Sequence, residues 1–249
     1  MLKTSLVCIL LAAASISHGA VTQFGGRDAG AGPGDARPNA DAARTAFLTA
    51  VGSGAFTLTF EGLPIGYAPS LNFTTFTFEQ VGTASTIFGG ADTGVTNDNQ
   101  NPTILGYNTT AGGDTFLRFT PIFDIGTAGA RLTFNSPIEY FGAFVSGLGS
   151  AAGTLNARFN NGTAQVIPIT GGPTGGVQFF GFSTFGSPIT SLDLVLDDVL
   201  DTRDIFSIDD VITGLRPTFQ PTVVPVPGAA WIFGSGLLLM AGVMRRKRS

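Results

Sequence analysis

Residues 20–224 contain no histidine, cysteine, lysine or tryptophan. His18 and Cys8, the only ones of their kind, lie in the first 19 residues, Lys3 and Lys247 lie near the two ends, and Trp231 lies close to the C-terminus. The lack of cysteine rules out disulfides and thiol chemistry in this stretch, and with histidine also missing, zinc sites built on those ligands go too. Without an imidazole there is no Ser-His-Asp or Cys-His activation of a nucleophile, and without lysine there is no Ser-Lys dyad. Charge is scarce and one-sided. The stretch holds 8 arginines against all 17 acidic residues, a net charge of −9. A nucleic-acid partner needs clustered cations against phosphate, so that class is excluded. What survives is carboxylate-only chemistry, as in glycoside hydrolysis by two acids, and oxygen-ligand metal sites, for which calcium is the natural ion outside a cell.

The ends are of a different character. Met1-Leu2-Lys3-Thr4 followed by the apolar Ser5–Ala14, with Ser17 and Gly19 after it, has the three parts of a secretory signal. Cleavage is expected near Gly19 or Ala20; a buried N-terminal helix is the alternative. At the other end, Pro225-Val226-Pro227-Gly228 precedes an uncharged run from Val223 to Met244, 22 residues, long enough for a helix to cross a hydrocarbon core. Arg245, Arg246, Lys247 and Arg248 follow, a basic tip that stays cytoplasmic and places the rest of the chain on the far side.

These last residues resemble the tripartite PEP-CTERM sorting signal, with its Pro-x-Pro motif, short Gly-rich apolar helix and Arg-rich tip. The sequence departs from that family at Val226, where the family carries Glu. The resemblance implies a bacterial protein whose tail is held in the inner membrane and removed by an exosortase-type protease. It also implies a setting of extracellular polysaccharide.

Between the ends, Val21 to Pro38 is Gly-rich and reads as a loop. Asn39 or Asp41 is placed to cap a short helix over Ala42 to Val51, packed across one end of a sheet. From Phe56 the period changes to two. Strands are expected at Phe56–Phe60, Phe73–Phe78 (with one slipped position read as a bulge), Phe116–Thr120, Ala130–Asn135 and Ile138–Val145. Others follow at Thr154–Asn160, Thr163–Ile169, Gly176–Ser183, Ile189–Leu196 and Ile205–Thr213, with Asn160-Asn161-Gly162 as a hairpin turn. About ten short strands at this spacing imply an antiparallel sandwich or barrel. Segments 89–103 and 108–115 read as long polar loops. The expected fold is all-β: an antiparallel jelly-roll-like β-sandwich with a short N-terminal helix, plus a C-terminal transmembrane helix. The expected organisation is a signal peptide (1–19), a Gly-rich segment and helix (20–52), the β-sandwich ectodomain (53–216), a linker (217–224) and the sorting tail (225–249).

Two motifs stand out, Phe60-Glu61-Gly62-Leu63-Pro64 early and Ile208-Asp209-Asp210-Val211 late. Their order is similar to that of jelly-roll carbohydrate-binding and MAM-like modules. That resemblance implies adjacent first and last strands, with Glu61 and Asp209, and Asp210 as a further candidate, holding a structural calcium. Adjacent carboxylates repel unless solvated or bridged by a cation. The alternative is that Glu61 and Asp209 face solvent or pair with Arg203 or Arg216. A second acidic group, Asp193, Asp197, Asp198, Asp201 and Asp204, lacks the spacing of an EF-hand and reads as a solvated edge that discourages sheet-to-sheet association. Asn97–Asn101 and Asn108–Asp114 are candidate sugar-hydroxyl loops at one end of the sandwich, with Tyr67, Tyr107 and Tyr140 as the only tyrosines available for stacking.

Three functions therefore stand open. The first is an exported, non-enzymatic surface or matrix protein sorted through its tail, with calcium as a structural ion. The second is a glycan-binding module, and the third a glycosidase using carboxylates drawn from Glu61, Glu79 and Glu139.

Overall fold

The computed structural model describes residues 20–52, 55–81, 83–84, 93–122, 126–149, 154–198 and 205–215. Its strands begin with β1 (Thr22–Ala29), β2 (Phe56–Leu58), β3 (Gly66–Tyr67), β4 (Ser70–Asn72), β5 (Phe76–Val81), β6 (Thr83–Ala84), β7 (Gly94–Thr96) and β8 (Phe116–Phe119). They continue with β9 (Pro121–Ile122), β10 (Gly126–Ile138), β11 (Tyr140–Ser146), β12 (Thr154–Asn160), β13 (Ala164–Thr170), β14 (Gly176–Ser183), β15 (Ile189–Asp198) and β16 (Phe206–Gly214). Two helices, α1 (Pro38–Val51) and the four-residue α2 (Pro102–Leu105), complete the set.

The strands form two large antiparallel sheets. The first runs β1-β14-β11-β16-β8-β7-β3, with β2 also pairing β16, and the second runs β13-β12-β15-β10-β5-β4. A small third sheet pairs β6 with β9. Alternation along the strands explains the layering: one face of each sheet carries large apolar groups that must be removed from water. Phe141, Phe182 and Phe206 of the first sheet meet Phe78, Phe134 and Leu192 of the second in one buried core. The rings interlock across the layers, with Phe159 stacked on Phe182 at 4.2 Å and Phe78 edge-on to Phe119 at 5.3 Å. Each ring so buried contributes about 1.5–3 kcal/mol.

Helix α1 covers the outer face of the first sheet rather than its end. Phe47 is completely buried there against Phe24, Tyr140 and Phe179. The slot for it exists because Gly142 and Gly181 have no side chain: a β-carbon at either position would come within 2.9 Å of the Phe47 ring. This second burial is why β11 is buried along its whole length and reads as a continuous apolar run.

Several expectations need correction. The segment read as a Gly-rich loop contains β1, paired with β14 from Thr22↔Ser183 to Ala29↔Gly176, so the sheet begins well before residue 53. The helix starts at Pro38, and neither Asn39 nor Asp41 caps it. Instead Asp28, at the end of β1, accepts hydrogen bonds from the Asn39 and Ala40 N–H groups at 3.2 and 2.9 Å. An anionic acceptor at exposed first-turn donors stabilises a helix wherever in the chain it comes from. The slipped position at Thr74-Thr75 is a turn between β4 and β5, not a bulge: the Phe73 N–H donates to the Phe76 carbonyl at 2.8 Å. The long loop 89–103 contains β7 and reaches into α2. The Asn160–Gly162 hairpin stands as expected, joining β12 to β13 with Gly162 at φ 101°.

Among the described residues no helix is long and apolar enough to cross a membrane. The apolar run from Val223 to Met244 lies outside them, as do the signal segment 1–19, Pro225–Gly228 and Arg245–Arg248.

Candidate functional site

Strand β16 shares one of its edges between two partners. Its Phe206–Ile208 stretch pairs with β8 and its Val211–Thr213 stretch pairs with β2. Asp209 and Asp210 fall in the gap. On the opposite edge the register with β11 slips between Gly142 and Phe144, and Asp210 takes the left-handed conformation at φ 50°. One extra residue and a positive φ are the geometry of a β-bulge, which re-aims the side chains beside it. The strand leading into the first motif, β2, and the last strand, β16, are therefore neighbours, with two carboxyl groups between the partners of the last, while the first strand of the sheet, β1, lies beside β14.

Both carboxyls are buried, Asp209 at 1% and Asp210 at 7% exposure. Burial of adjacent acids requires donors, and the loop after α2, Gly106 to Thr115, supplies them. Asp209 Oδ2 accepts from the Thr109 N–H at 2.7 Å, the Thr109 hydroxyl at 3.0 Å, the Thr110 N–H at 3.1 Å and the Thr110 hydroxyl at 3.3 Å. Its Oδ1 accepts from the Asp210 N–H at 2.8 Å. The same two hydroxyls also lie 3.4 and 2.8 Å from Asp210 oxygens. Each hydroxyl has one proton, so the two acids share two O–H donors. Burial and the neighbouring Asp210 charge push the Asp209 carboxyl up to about 7, against the pull of the backbone donors.

Glu61 fastens the other end of the same loop. Phe60, at φ 61°, turns the chain out of β2 and leaves Glu61 facing the loop. The Glu61 carboxylate accepts from the Asn108 side-chain amide, from the Asp114 N–H at 3.1 Å and from the Thr115 N–H at 3.2 Å. Gly113 permits this approach, since a β-carbon there would lie 2.2 Å from Glu61 Oε1. Glu61, Asp209 and Asp210 thus converge on one loop, although no group of three or more such ligands comes together among the described residues. Asp209 and Asp210 with the Thr109 and Thr110 hydroxyls form an all-oxygen side-chain set, the chemistry calcium takes. Glu61 is committed to N–H donors, and Asp209 also accepts three backbone N–H groups, which leaves Asp210 the freer carboxylate of the set.

The clasped loop forms one wall of a cleft. Tyr107 is buried, donates its hydroxyl to the Ala31 carbonyl at 2.8 Å, and so ties the loop to the N-terminal Gly-rich segment. Burial pushes its phenol up to about 12. Between Gly32–Arg37 on one side and Asn108–Gly113 on the other lies a polar space of about 350 Å³, which Asn99 also lines. Asp35 there is occupied by the Gly32 N–H at 2.9 Å, and Arg37 lies over the Phe144 ring at 4.2 Å while pairing with Asp41 at 3.0 Å. A second cleft, of about 290 Å³, opens on the other side of the Asn97–Asn101 loop and takes in Tyr67, Asp98, Gln100 and Arg118.

The two polar loops expected at one end of the sandwich do meet, through Asn99 and Asn108–Gly113. Of the three tyrosines, Tyr107 and Tyr140 are buried and Tyr67 is 44% exposed. Asp193 is paired in two places with Arg131, at 2.7 and 2.8 Å, rather than simply solvated. The side chains of Asp197, Asp198, Asp201 and Asp204 lie outside the described residues. Glu79 is exposed on β5, and the Glu139 carboxylate accepts from the Gly186 N–H at 3.0 Å. Sequence reasoning missed Arg118 and the Gly32–Arg37 wall. A lone cation inside Phe116-Leu117-Arg118-Phe119 was the available signal for the first, because a charge buried in a strand needs a partner.

No protein-family model matches the chain, and no curated protein does. Among solved structures it is similar to the K2 cleaved adhesin domain of Lys-gingipain (Kgp), at 12% identity over 65% of this chain and 98% of that one, with a TM-score of 0.37. It is also similar to the K1 cleaved adhesin domain of Lys-gingipain from Porphyromonas gingivalis W83, at 11% identity over 66% of this chain and 100% of that one, with a TM-score of 0.35. Values this low fall short of a shared fold, and no functional conclusion follows from them.

Proposed function

We propose that this chain is an exported, non-enzymatic cell-surface or extracellular-matrix protein whose jelly-roll-like sandwich binds or bridges polar partners. The observation that supports this best is the clasped cleft. Three carboxylates are spent on holding a loop, and the cleft it borders is lined by the Asn99 amide and by short residues, Gly32–Gly34 and Ala111–Gly113. Such groups recognise polar ligands; they do not activate a nucleophile. The frequent crossing of consecutive strands from one sheet to the other supports the jelly-roll description. Delivery is by the N-terminal signal and the PEP-CTERM-like tail. In this proposal Pro225, Val226, Pro227 and Gly228 are read by an exosortase-type protease, and the Val223–Met244 helix waits in the inner membrane with Arg245, Arg246, Lys247 and Arg248 on the cytoplasmic side.

Calcium is part of the proposal at Asp209 and Asp210. Bound there, it would neutralise the two adjacent acids, with the Thr109 and Thr110 hydroxyls as further oxygen donors. The second reading, a glycan-binding module for extracellular polysaccharide, is favoured by the meeting of Asn99 with Asn108–Gly113 around one polar space. A carboxylate-only glycosidase fares less well, because Glu61 and Glu139 are both engaged by N–H donors.

Intact mass of the protein recovered from the native host's surface or medium tests the sorting role. The expected species begins near Ala20 and ends between Pro225 and Gly228. A species that retains the whole tail would remove exosortase processing and leave a C-terminally anchored surface protein.

A further inference from the structure

The second cleft has features the first does not. Tyr67, on the two-residue strand β3, is the one tyrosine with an exposed ring, and its hydroxyl is tied to Thr96 Oγ1 at 3.1 Å. That bond fixes the ring and leaves its face as an apolar, weakly negative platform. Beside it Arg118, 5% exposed, donates to an Asp98 carboxylate oxygen at 2.9 Å and to the Asp98 carbonyl. Its Nε has no hydrogen-bond partner among the described residues. The Asp98 N–H donates to Thr96 Oγ1 at 3.1 Å, and the Gln100 N–H donates to Asp98 Oδ1 at 3.1 Å, so the loop is set before any ligand arrives. Leu105 and Ile205 supply apolar wall.

We infer that the Tyr67–Asp98–Gln100–Arg118 cleft binds one ring of a neutral saccharide, its C–H face on Tyr67 and a vicinal pair of hydroxyls on Asp98 and Arg118. A sugar ring is two-faced in the sense this cleft requires: its axial C–H bonds suit an aromatic face, while each ring hydroxyl both donates and accepts. A carboxylate beside a guanidinium offers one acceptor and one donor set to neighbouring hydroxyls, and the Gln100 amide offers both kinds. The charges of Asp98 and Arg118 cancel, so the cleft holds no net charge for an acidic sugar. The −9 balance of residues 20–224 disfavours one further. The Arg118 hydrogen bond holds Asp98 below the usual carboxylate range, which keeps it an acceptor throughout the physiological range. The volume, about 290 Å³, is at the small end of ligand clefts and suits a single ring.

This inference rests on the glycan-binding reading and adds to it a site, a ligand charge and a stacking residue. The test is a titration of the full-length chain in detergent, followed by saturation-transfer NMR, with maltohexaose, cellohexaose, mannohexaose and hexagalacturonate as probes. At least one neutral hexaose is expected to bind. Tyr67→Ala should weaken it about tenfold, Tyr67→Phe should stay within about twofold, and Gln100→Ala should cost a few-fold. Hexagalacturonate should bind more weakly than the best neutral probe. Melting curves of the variants separate lost binding from lost fold, and Gln100, on an exposed loop, serves where Tyr67→Ala does not fold. Neutral-hexaose binding that survives Tyr67→Ala but is lost with Asn99→Ala would overturn this inference and leave glycan binding in the first cleft. No binding of any probe would overturn both.

Discussion

On one side of the Asn97–Asn101 loop the lining of the first cleft is made largely of glycines and short polar residues. It runs over Gly32–Gly34 and over Thr109, Thr110 and Gly112, and its shape depends on a loop with no regular structure of its own. On the other side two long side chains stand on paired strands, Tyr67 on β3 and Arg118 on β8, beside Asp98 and Gln100 of the loop. The first cleft owes its form to buried acids 100 residues away in the chain. The second owes its form to the ladder that joins β3, β7 and β8. A loop can be made as well defined as a strand, but only if its N–H groups find acceptors inside the fold, and here those acceptors are carboxylates. Such a loop is also more vulnerable, because one side chain satisfies several donors at once.

That difference can be broken experimentally. The largest effect is expected from Asp209→Ala, which strands the buried Thr109 N–H and takes the acceptor from the half-buried Thr110 N–H. The loss should be about 3 kcal/mol in urea denaturation, since each orphaned buried donor costs about 1–3 kcal/mol. Chemical shifts of Asn108 to Gly113 should change, while those of Tyr67, on a strand that does not pair with β16, stay in place. Concerted change on both sides would show that the clefts are not independently supported.

A smaller effect separates a hydrogen-bonded clasp from a calcium-filled one. Asp209 has a folded-state pKa raised to about 7 from an ordinary 3.8, so the folded state binds this proton more tightly than the unfolded chain. Stability from this group is therefore greatest in acid and falls as pH rises from about 4 through 7. With EGTA present, the stability difference between the wild type and Asp209→Asn should drop by about 2 kcal/mol from pH 5 to pH 8. Calcium binds the ionised form, so adding it should reverse the slope and raise the melting temperature at pH 8. A wild-type minus variant difference that is flat with pH in EGTA would contradict the buried, proton-binding state of Asp209. A melting temperature indifferent to calcium would remove the ion from the proposal.

How far the sequence went can be judged from particular residues. The hairpin at Asn160–Gly162 and the strands Thr154–Asn160 and Gly176–Ser183 were legible because their signals are local, a turn dipeptide and a clean run of strand formers. Strand β1 was not, since Gly25 and Gly26 look like a loop until it is seen that a β-carbon at Gly26 would strike the Asn39 carbonyl at 2.1 Å. The helix cap escaped notice because Asp28 precedes the helix by ten residues. Of the site, Glu61, Asp209 and Asp210 were singled out by their motifs. Their role in holding Thr109 and Thr110 could not be read, because nothing local to a Thr-Thr pair says which distant acid its N–H groups will meet. Tyr67 was named only as one of three tyrosines, and exposure alone distinguishes it.

The most direct test of the central claim is amide hydrogen exchange at Thr109 and Thr110 in the full-length protein. If the buried carboxylates clasp the loop, both amides exchange as slowly as those of β16 and become fast in Asp209→Ala. Fast exchange at Thr109 and Thr110 in the unaltered protein, at a rate ordinary for a solvated loop, would contradict the clasp and with it the first cleft as a formed site.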